Sequence, residues 1–501
     1  MKKLKYCCNG QWLDSVTDKW MDVYDPSRGE VIAQAPCCTQ KELEAVLNSA
    51  QKAYESWSKT PVIRRTQVLF RFRDLVVDHM EELTRMVARE NGKVWSEAEG
   101  DVLKVKEPVE LACGAATLMQ GESLMNTSAG YDSVLYRESV GVFGGIVPFN
   151  FPAMIPFGWM TPLCIATGNC VVLKLSSTTP MTSIRLLELL MEAGLPPGVV
   201  SVITTDRNVG DMLLTSPIIK GISFVGTTAV GLEVYARAAA HGKRVQAQCE
   251  AKNHALVMDD AAIERTSKGI VNSSFGCAGE RCMALPVVVA QDGIHDKLVE
   301  RIIADAKALK VGCAYEKASE LGPVVSKKHM DRILDWIEKG VKEGAKLVLD
   351  GRGIKVPGYE NGFFIGPTIF DDVTEEMSIG QEEIFGPVLY IKRVKTFEEG
   401  VAVINKNRFA NGAVIYTSSG YYARNFSLQI DGGMVGINVG IPVPVGMFPF
   451  SGHKKSFFGD LHCLGKDGIR FFTESKVVTS TWFEEGAAVK KVDTWDGSVG
   501  G

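Results

Sequence analysis

Apolar residues recur at spacings of three and four over residues 41–57 and 64–90, where Val68, Leu69, Phe72, Leu75, Val76 and Leu83 share one stripe. That period is helical, so both stretches are expected to form amphipathic helices. Residues 131–143 alternate weakly and read as a strand or hairpin. Beyond them the pattern switches repeatedly between the two periods. Strands are expected at 141–147, 170–174, 199–203 and 221–225, with helices at 155–166, 181–193 and 209–214. A second alternating block runs from about 255 to 438. This rhythm predicts an α/β fold with parallel sheets. No repeat interrupts it, and the Gly-, Lys- and Asp-rich tail after Phe483 is expected to fray.

Composition narrows the function more than the fold. The 501 residues have room for two or three domains. A net charge of −4 with 23% charged residues gives no reason to expect nucleic acid or an anionic membrane as partner. The start, Met1-Lys-Lys-Leu-Lys, leads to no apolar run, and no stretch has the length of a membrane span. Twelve cysteines without a CxxC pair, beside seven histidines, point to reduced thiols in a cytoplasm and to no metal or disulfide framework.

Four segments carry candidate chemistry. Phe275-Gly-Cys-Ala-Gly-Glu-Arg-Cys-Met-Ala-Leu285 puts Arg281 directly before Cys282, and an adjacent cation raises a thiol's thiolate fraction. Alone, such a cysteine is more often a small buried apolar residue. In Val147-Pro-Phe-Asn-Phe-Pro152, Asn150 offers an amide to a developing oxyanion, or else merely closes a turn. Phe224-Val-Gly-Thr-Thr-Ala-Val-Gly231 follows a strand and opens a helix, so N–H groups near Gly226 and Thr227 can receive a pyrophosphate. The dinucleotide fingerprint G-x-G-x-x-G is absent, and the bare strand–Gly–Thr–helix pattern is also plain topology. Glu382-Glu-Ile-Phe-Gly-Pro387 is uncommon as a string, though Glu383 alone reads as a surface charge.

In this order the segments resemble the aldehyde dehydrogenase family, from Tyr6-Cys-Cys-Asn-Gly-Gln-Trp12 to Phe471-Phe-Thr-Glu-Ser-Lys476. Phe149-Asn-Phe-Pro-Ala-Met-Ile-Pro156, His241-Gly-Lys-Arg-Val-Gln-Ala247, Ala251-Lys-Asn-His254, Gly279-Glu-Arg-Cys-Met-Ala284 and Ile441-Pro-Val-Pro444 are most similar to its CoA-acylating methylmalonate-semialdehyde dehydrogenase branch. The resemblance implies a Rossmann-like cofactor domain (1–124 and 144–250), an α/β catalytic domain (251–440) and a small β oligomerisation element (125–143 and 475–495). It implies Cys282 as nucleophile, with Asn150 and the Cys282 N–H as oxyanion donors. Phe149, Lys174, Gly226, Thr227, Glu383 and Phe385 are implied cofactor residues, with Lys174 on the adenosine ribose and Glu383 on the nicotinamide ribose. A homodimer or homotetramer is expected.

Three departures refine this picture. The hydrolytic members carry a glutamate 34 residues before the nucleophile, and counting back from Cys282 gives Gln248, which cannot act as a base. A thioacyl-enzyme without that base survives to be collected by coenzyme A. The competing reading makes Glu250, where the family usually has glycine, a displaced base that releases free acid; an inactive structural homologue is the remaining alternative. The branch grips its substrate carboxylate with two arginines. Arg281 matches one, but Lys104 stands at the other, a point charge instead of a fork, and Pro108 follows where a kink or new helix start is expected. A small acidic aldehyde, carboxylated or sulfonated, is the expected substrate. Finally, Ser177 replaces the glutamate of NAD-selective members, so NADP stays open beside NAD, with Arg207 a candidate helper.

Overall fold

The computed structural model describes residues 1–128 and 130–482; the last part of the expected oligomerisation stretch, with the tail beyond it, lies outside the described residues. Helix α1 (Gln40–Trp57) begins at a reciprocal cap, in which the Thr39 hydroxyl takes the Glu42 N–H and the Glu42 carboxylate returns to the Thr39 N–H. Its buried stripe is Leu43, Val46, Leu47 and Ala50. The single helix expected at 64–90 is two, α2 (Val62–Asp78) and α3 (Met80–Asn91). His79 leaves helical dihedrals between them and its ring meets Glu82 at 2.7 Å, so α3 turns to bury Leu83 and Val87. Helix α4 (Trp95–Cys113) passes through Pro108 without restarting, contrary to expectation. The carbonyl four residues before that proline is Lys104's, and Gly158 packs against it so closely that a Cβ would lie 2.8 Å away.

Two further segments differ from expectation. Residues 155–166 form a π-helical turn (Ile155–Met160) and a short α-helix (Pro162–Ala166), because Pro156 and Pro162 each remove a backbone donor. Residues 207–215 are two single turns, Arg207–Gly210 and Met212–Thr215.

The first sheet runs Val200–Ile203, Cys170–Lys174, Val142–Ile146, Ile219–Val225, Arg244–Gln248, all parallel, with Phe457–Gly459 antiparallel at its edge. The second has seven strands, in the order Lys346–Leu349, Thr368–Asp371, Val388–Val394, Val287–Gln291, His254–Val257, Gly412–Tyr416 and Met434–Ile437; only the first is antiparallel. Tyr131–Ser139, half of the expected hairpin, belongs to neither. It pairs along its whole length with Thr473–Thr481 and, on its other side, with Ser123–Ser128. Val142–Ile146 enters the first sheet after Gly141.

This topology decides where chemistry can occur. The loops after Ile146, Lys174, Val225 and Gln248 all leave the carboxyl ends of the first sheet's parallel strands, the usual place for a ligand in such sheets. The segments leading into His254, Val287, Val388 and Gly412 lie at the opposite, amino ends of the second sheet's strands. The four segments that carry candidate chemistry all belong to one of these two sets.

Candidate active site

Cys282 sits in the loop between helix α6 (Ile263–Phe275) and strand Val287–Gln291. The loop is bent by left-handed backbone at Cys277, Ala278 and Gly279, with φ of 50°, 51° and 74°. At Gly279 this is unavoidable, since a Cβ would lie 2.0 Å from the Gly386 carbonyl oxygen. Two amides then fix the nucleophile's backbone. The Cys282 carbonyl accepts from Asn253 Nδ2 at 2.9 Å and from Asn411 Nδ2 at 3.2 Å, while Asn253 also donates to Ala284 at 2.8 Å and accepts from the Gly412 N–H. Neither asparagine was singled out in the sequence. Asn253 lies inside the Ala251-Lys-Asn-His254 signature, which was the available signal; Asn411 carried none.

The Asn150 loop is held as firmly. Lys93, buried in contact with Asp101 at 2.8 Å, donates to the Asn150 carbonyl, and Asp101 accepts the Met154 N–H at 2.8 Å. Asn91 and Thr179 donate to the Phe149 carbonyl at 3.0 and 2.9 Å. The Asn150 side chain is buried and donates one amide hydrogen to the Glu280 carbonyl at 3.1 Å, leaving the other for an oxyanion.

Two cavities meet at Cys282. One, of about 300 Å³, is walled by Phe149, Asn150, Gly226, Thr227, Glu383 and Phe385, with Glu250 at its edge. The rings of Phe149, Phe385 and His329 form an edge-on cluster with centroids 5.8–6.2 Å apart. Helix α5 (Thr228–Ala240) starts at this cavity. A helix start, aromatic walls and a carboxylate are the furniture a dinucleotide needs, so these residues fit one. Lys174 and Ser177 do not line the cavity; Ser176 does. The Lys174 ammonium is largely buried beside Gly210, and burial lowers its pKa. Arg207 is exposed and paired with Glu233.

The second cavity, of about 520 Å³, is bounded by Glu97, Lys104, Arg281 and apolar side chains including Phe151, Trp159 and Phe450. Arg281 does not direct its donors at the adjacent thiol, as its place in the sequence suggested. Nε reaches Cys277 Sγ at 3.1 Å and Nη2 reaches Glu97 at 2.9 Å. Lys104 is half-exposed and paired with Glu107 at 2.8 Å. Burial, with the Glu383 carboxylate second, pushes the Cys282 thiol up to about 12, so the resting group is a thiol.

The expected base position also resolves differently. Gln248 lines neither cavity: its Nε2 lies 3.8 Å from Cys463 Sγ, and its Oε1 is buried with no partner. Glu250 does face the first cavity, but its carboxylate accepts the Thr228 N–H at 2.8 Å, which ties it to the start of α5. Among the described residues His295, Asp371 and Asp372 converge within 4.8 Å. Arg393 on the imidazole and Lys346 between the two aspartates already supply the positive charge there.

The profile of the aldehyde dehydrogenase family matches residues 12–478. Malonate-semialdehyde dehydrogenase 2 of Geobacillus kaustophilus is 50% identical over 482 residues, 96% of this chain and 99% of its own. The crystal structure of methylmalonate-semialdehyde dehydrogenase from Oceanimonas doudoroffii superposes with a TM-score of 0.95 at 42% identity, covering 97% of this chain and 99% of that one. A structure from Sinorhizobium meliloti 1021, provisionally named a methylmalonate-semialdehyde dehydrogenase and complexed with NAD, gives a TM-score of 0.95 at 40% identity, with the same coverage.

Two outcomes test the site's electrostatics. Removing one member of the buried Lys93–Asp101 pair strands the other charge, so Lys93→Met should cost about 3–5 kcal/mol in chemical denaturation. The double variant Lys93→Met/Asp101→Leu should cost less than the two singles summed; simple additivity would show that the pair does not act as one. Separately, burial, followed by repulsion from Glu250, pushes Glu383 from 4.5 up to about 8. An acid with a raised folded pKa holds its proton more tightly when folded, so its stability is fully present below pH 4.5 and is lost as pH rises towards 8. The Tm advantage of Glu383→Gln over the parent should therefore open across that window and level off above it. A constant difference from pH 5 to 9 contradicts the raised value.

Proposed function

The chain belongs to the aldehyde dehydrogenase family, and on that premise we propose that it oxidises a small acidic semialdehyde with NAD and passes the acyl group to coenzyme A. The relatives' names, malonate- and methylmalonate-semialdehyde dehydrogenase, support a short semialdehyde as substrate. The NAD bound in the Sinorhizobium meliloti relative supports NAD as the cofactor.

One observation carries the acylating reading: Gln248, at the position where hydrolytic members carry their base, is an amide that lines neither cavity. Glu97 binds Arg281, Asp101 binds Lys93, Glu250 accepts the Thr228 N–H and Glu383 accepts the Ala251 N–H at 3.1 Å. Each of these carboxylates has a partner in the empty enzyme, and Gln248 cannot act as a base for water. Cys282, once deprotonated, adds to the aldehyde carbon. The free Asn150 amide hydrogen and the Cys282 N–H stabilise the alkoxide that forms. Bound NAD supplies the two-electron acceptor. Phe149, Phe385, Gly226, Thr227 and Glu383 would hold it, with Lys174 and Ser177 outside the cavity lining. Collapse of the alkoxide, with the hydrogen on that carbon leaving as hydride to this acceptor, leaves an acyl group on Cys282, and the coenzyme A thiol displaces the Cys282 sulfur to give acyl-CoA and the free thiol. In the substrate cavity Arg281 has an Nη1 donor left for a substrate carboxylate, and Lys104 adds a second charge.

We place the enzyme in the cytoplasm, where its twelve free thiols stay reduced; no helix among the described residues is long and apolar enough to cross a membrane. The three-stranded sheet around Tyr131–Ser139 exposes Leu124, Tyr136 and Val477, and we assign it to a homodimer or homotetramer contact.

Without coenzyme A, rapid mixing with NAD and malonate semialdehyde should give a burst of about one reduced cofactor per active site and then a slow phase, because general-base help worth roughly 10²–10⁴-fold is missing. Coenzyme A should restore fast turnover with an acyl-CoA product. Fast, steady hydrolysis lost in Glu250→Gln would make Glu250 the base instead. In the same assay Cys282→Ala should abolish the burst, whereas Cys277→Ala, which removes only a partner of Arg281, should retain it. A folded but burst-free Cys277→Ala enzyme reverses the assignment of the nucleophile.

A further inference from the structure

Glu250 stands out once the cavity is inspected for what it already contains. Its carboxylate occupies the first free N–H of α5, at 2.8 Å, on the wall where Gly226 and Thr227 also lie. A helix of thirteen residues concentrates partial positive charge at this end, so an anion here is favoured, and the chain supplies one itself. The backbone around Glu250 cannot withdraw. Its carbonyl accepts the Ser456 hydroxyl at 2.7 Å, the Cys249 N–H donates to Ser456 at 2.8 Å, and the Ala251 N–H is held by Glu383. Only the side-chain torsions of Glu250 remain free.

We infer that Glu250 is an internal competitor for the cofactor's phosphates, a carboxylate that must swing off the Thr228 N–H before a dinucleotide can seat. The inference rests on the NAD-dependent reading above and adds to it a residue that sets cofactor affinity. Two negative charges cannot share one helix start at low cost, so the apo enzyme holds its own anion and the cofactor-bound enzyme exchanges it. Glu383 is close enough to feel Glu250's charge, so the position of Glu250 bears on the residue assigned to the nicotinamide ribose as well. The consequence is weaker cofactor binding than the rest of the cavity would give, and therefore faster release of the spent cofactor before a second thiol arrives.

The test is direct binding, read by calorimetry on the whole enzyme without aldehyde. Glu250→Gln keeps the side chain's shape and removes its charge, and Glu250→Gly empties the position. Both should bind NAD and ADP-ribose about tenfold more tightly than the parent, the size expected of a charge at a helix start in a partly buried site. Adenosine, which has no phosphate, should bind all three proteins alike. The NAD-induced rise in Tm should be larger in both variants, which gives a second readout if either is less stable when empty. Unchanged NAD affinity in both variants overturns the inference, as does an equal gain for adenosine, which would mean that only space was created. A parent enzyme that binds no NAD at all would instead defeat the NAD-dependent reading on which the inference stands.

Discussion

The buried pair of Lys93 and Asp101 is the constraint on which the geometry around Cys282 depends. Both side chains are removed from water, and their remaining hydrogen-bonding capacity is directed at one loop: Lys93 to the carbonyl of Asn150, Asp101 to the N–H of Met154. A charge pair in such surroundings gains little net stability, because desolvation cancels most of the attraction. What it provides is position. It fastens the start of α4 to the loop that carries Asn150, and α4 in turn presents Glu97 to Arg281 and to the Cys277 N–H. The Asn150 loop and the Cys282 loop, far apart in sequence, are registered against one another through a single helix.

Much of the architecture was legible because it follows from periodicity. The alternation after residue 140 signalled parallel sheets, and parallel sheets put their loops at one edge, which is where the structure has them. The failures were local. A break at His79 without Gly or Pro leaves no mark in an apolar stripe. The π-helical turn at Ile155–Met160 lies in an apolar run whose spacing matches a helix, and the spacing does not show which carbonyls Pro156 leaves free. Pro108 was expected to kink α4 or begin a new helix, yet the helix runs through it from Trp95 to Cys113, with Gly158 packed beside the Lys104 carbonyl.

The site was legible as a set of segments and less so as a set of contacts. Sequence order made Arg281 a neighbour of Cys282, but adjacent residues in a tight loop point apart, and the guanidinium went to Cys277 and Glu97. A count of 34 residues selected Gln248, but that residue ends its strand with its side chain against Cys463, and Glu250, in the loop beyond the strand, is the one that faces the first cavity. Asn253 and Asn411 escaped notice because they act on a backbone carbonyl, and such a role leaves no pattern in composition or spacing.

The two cavities share a single lining residue, Cys282. Inheritance can treat them as separate property. A substitution at Trp159, Met283 or Val443 reshapes what the thiol attacks and touches nothing that grips the dinucleotide, while a change at Ser176 or Thr227 does the reverse. A lineage can thus drift through a range of aldehydes with its redox chemistry held constant, one wall at a time, provided that the cysteine standing in the doorway is never exchanged.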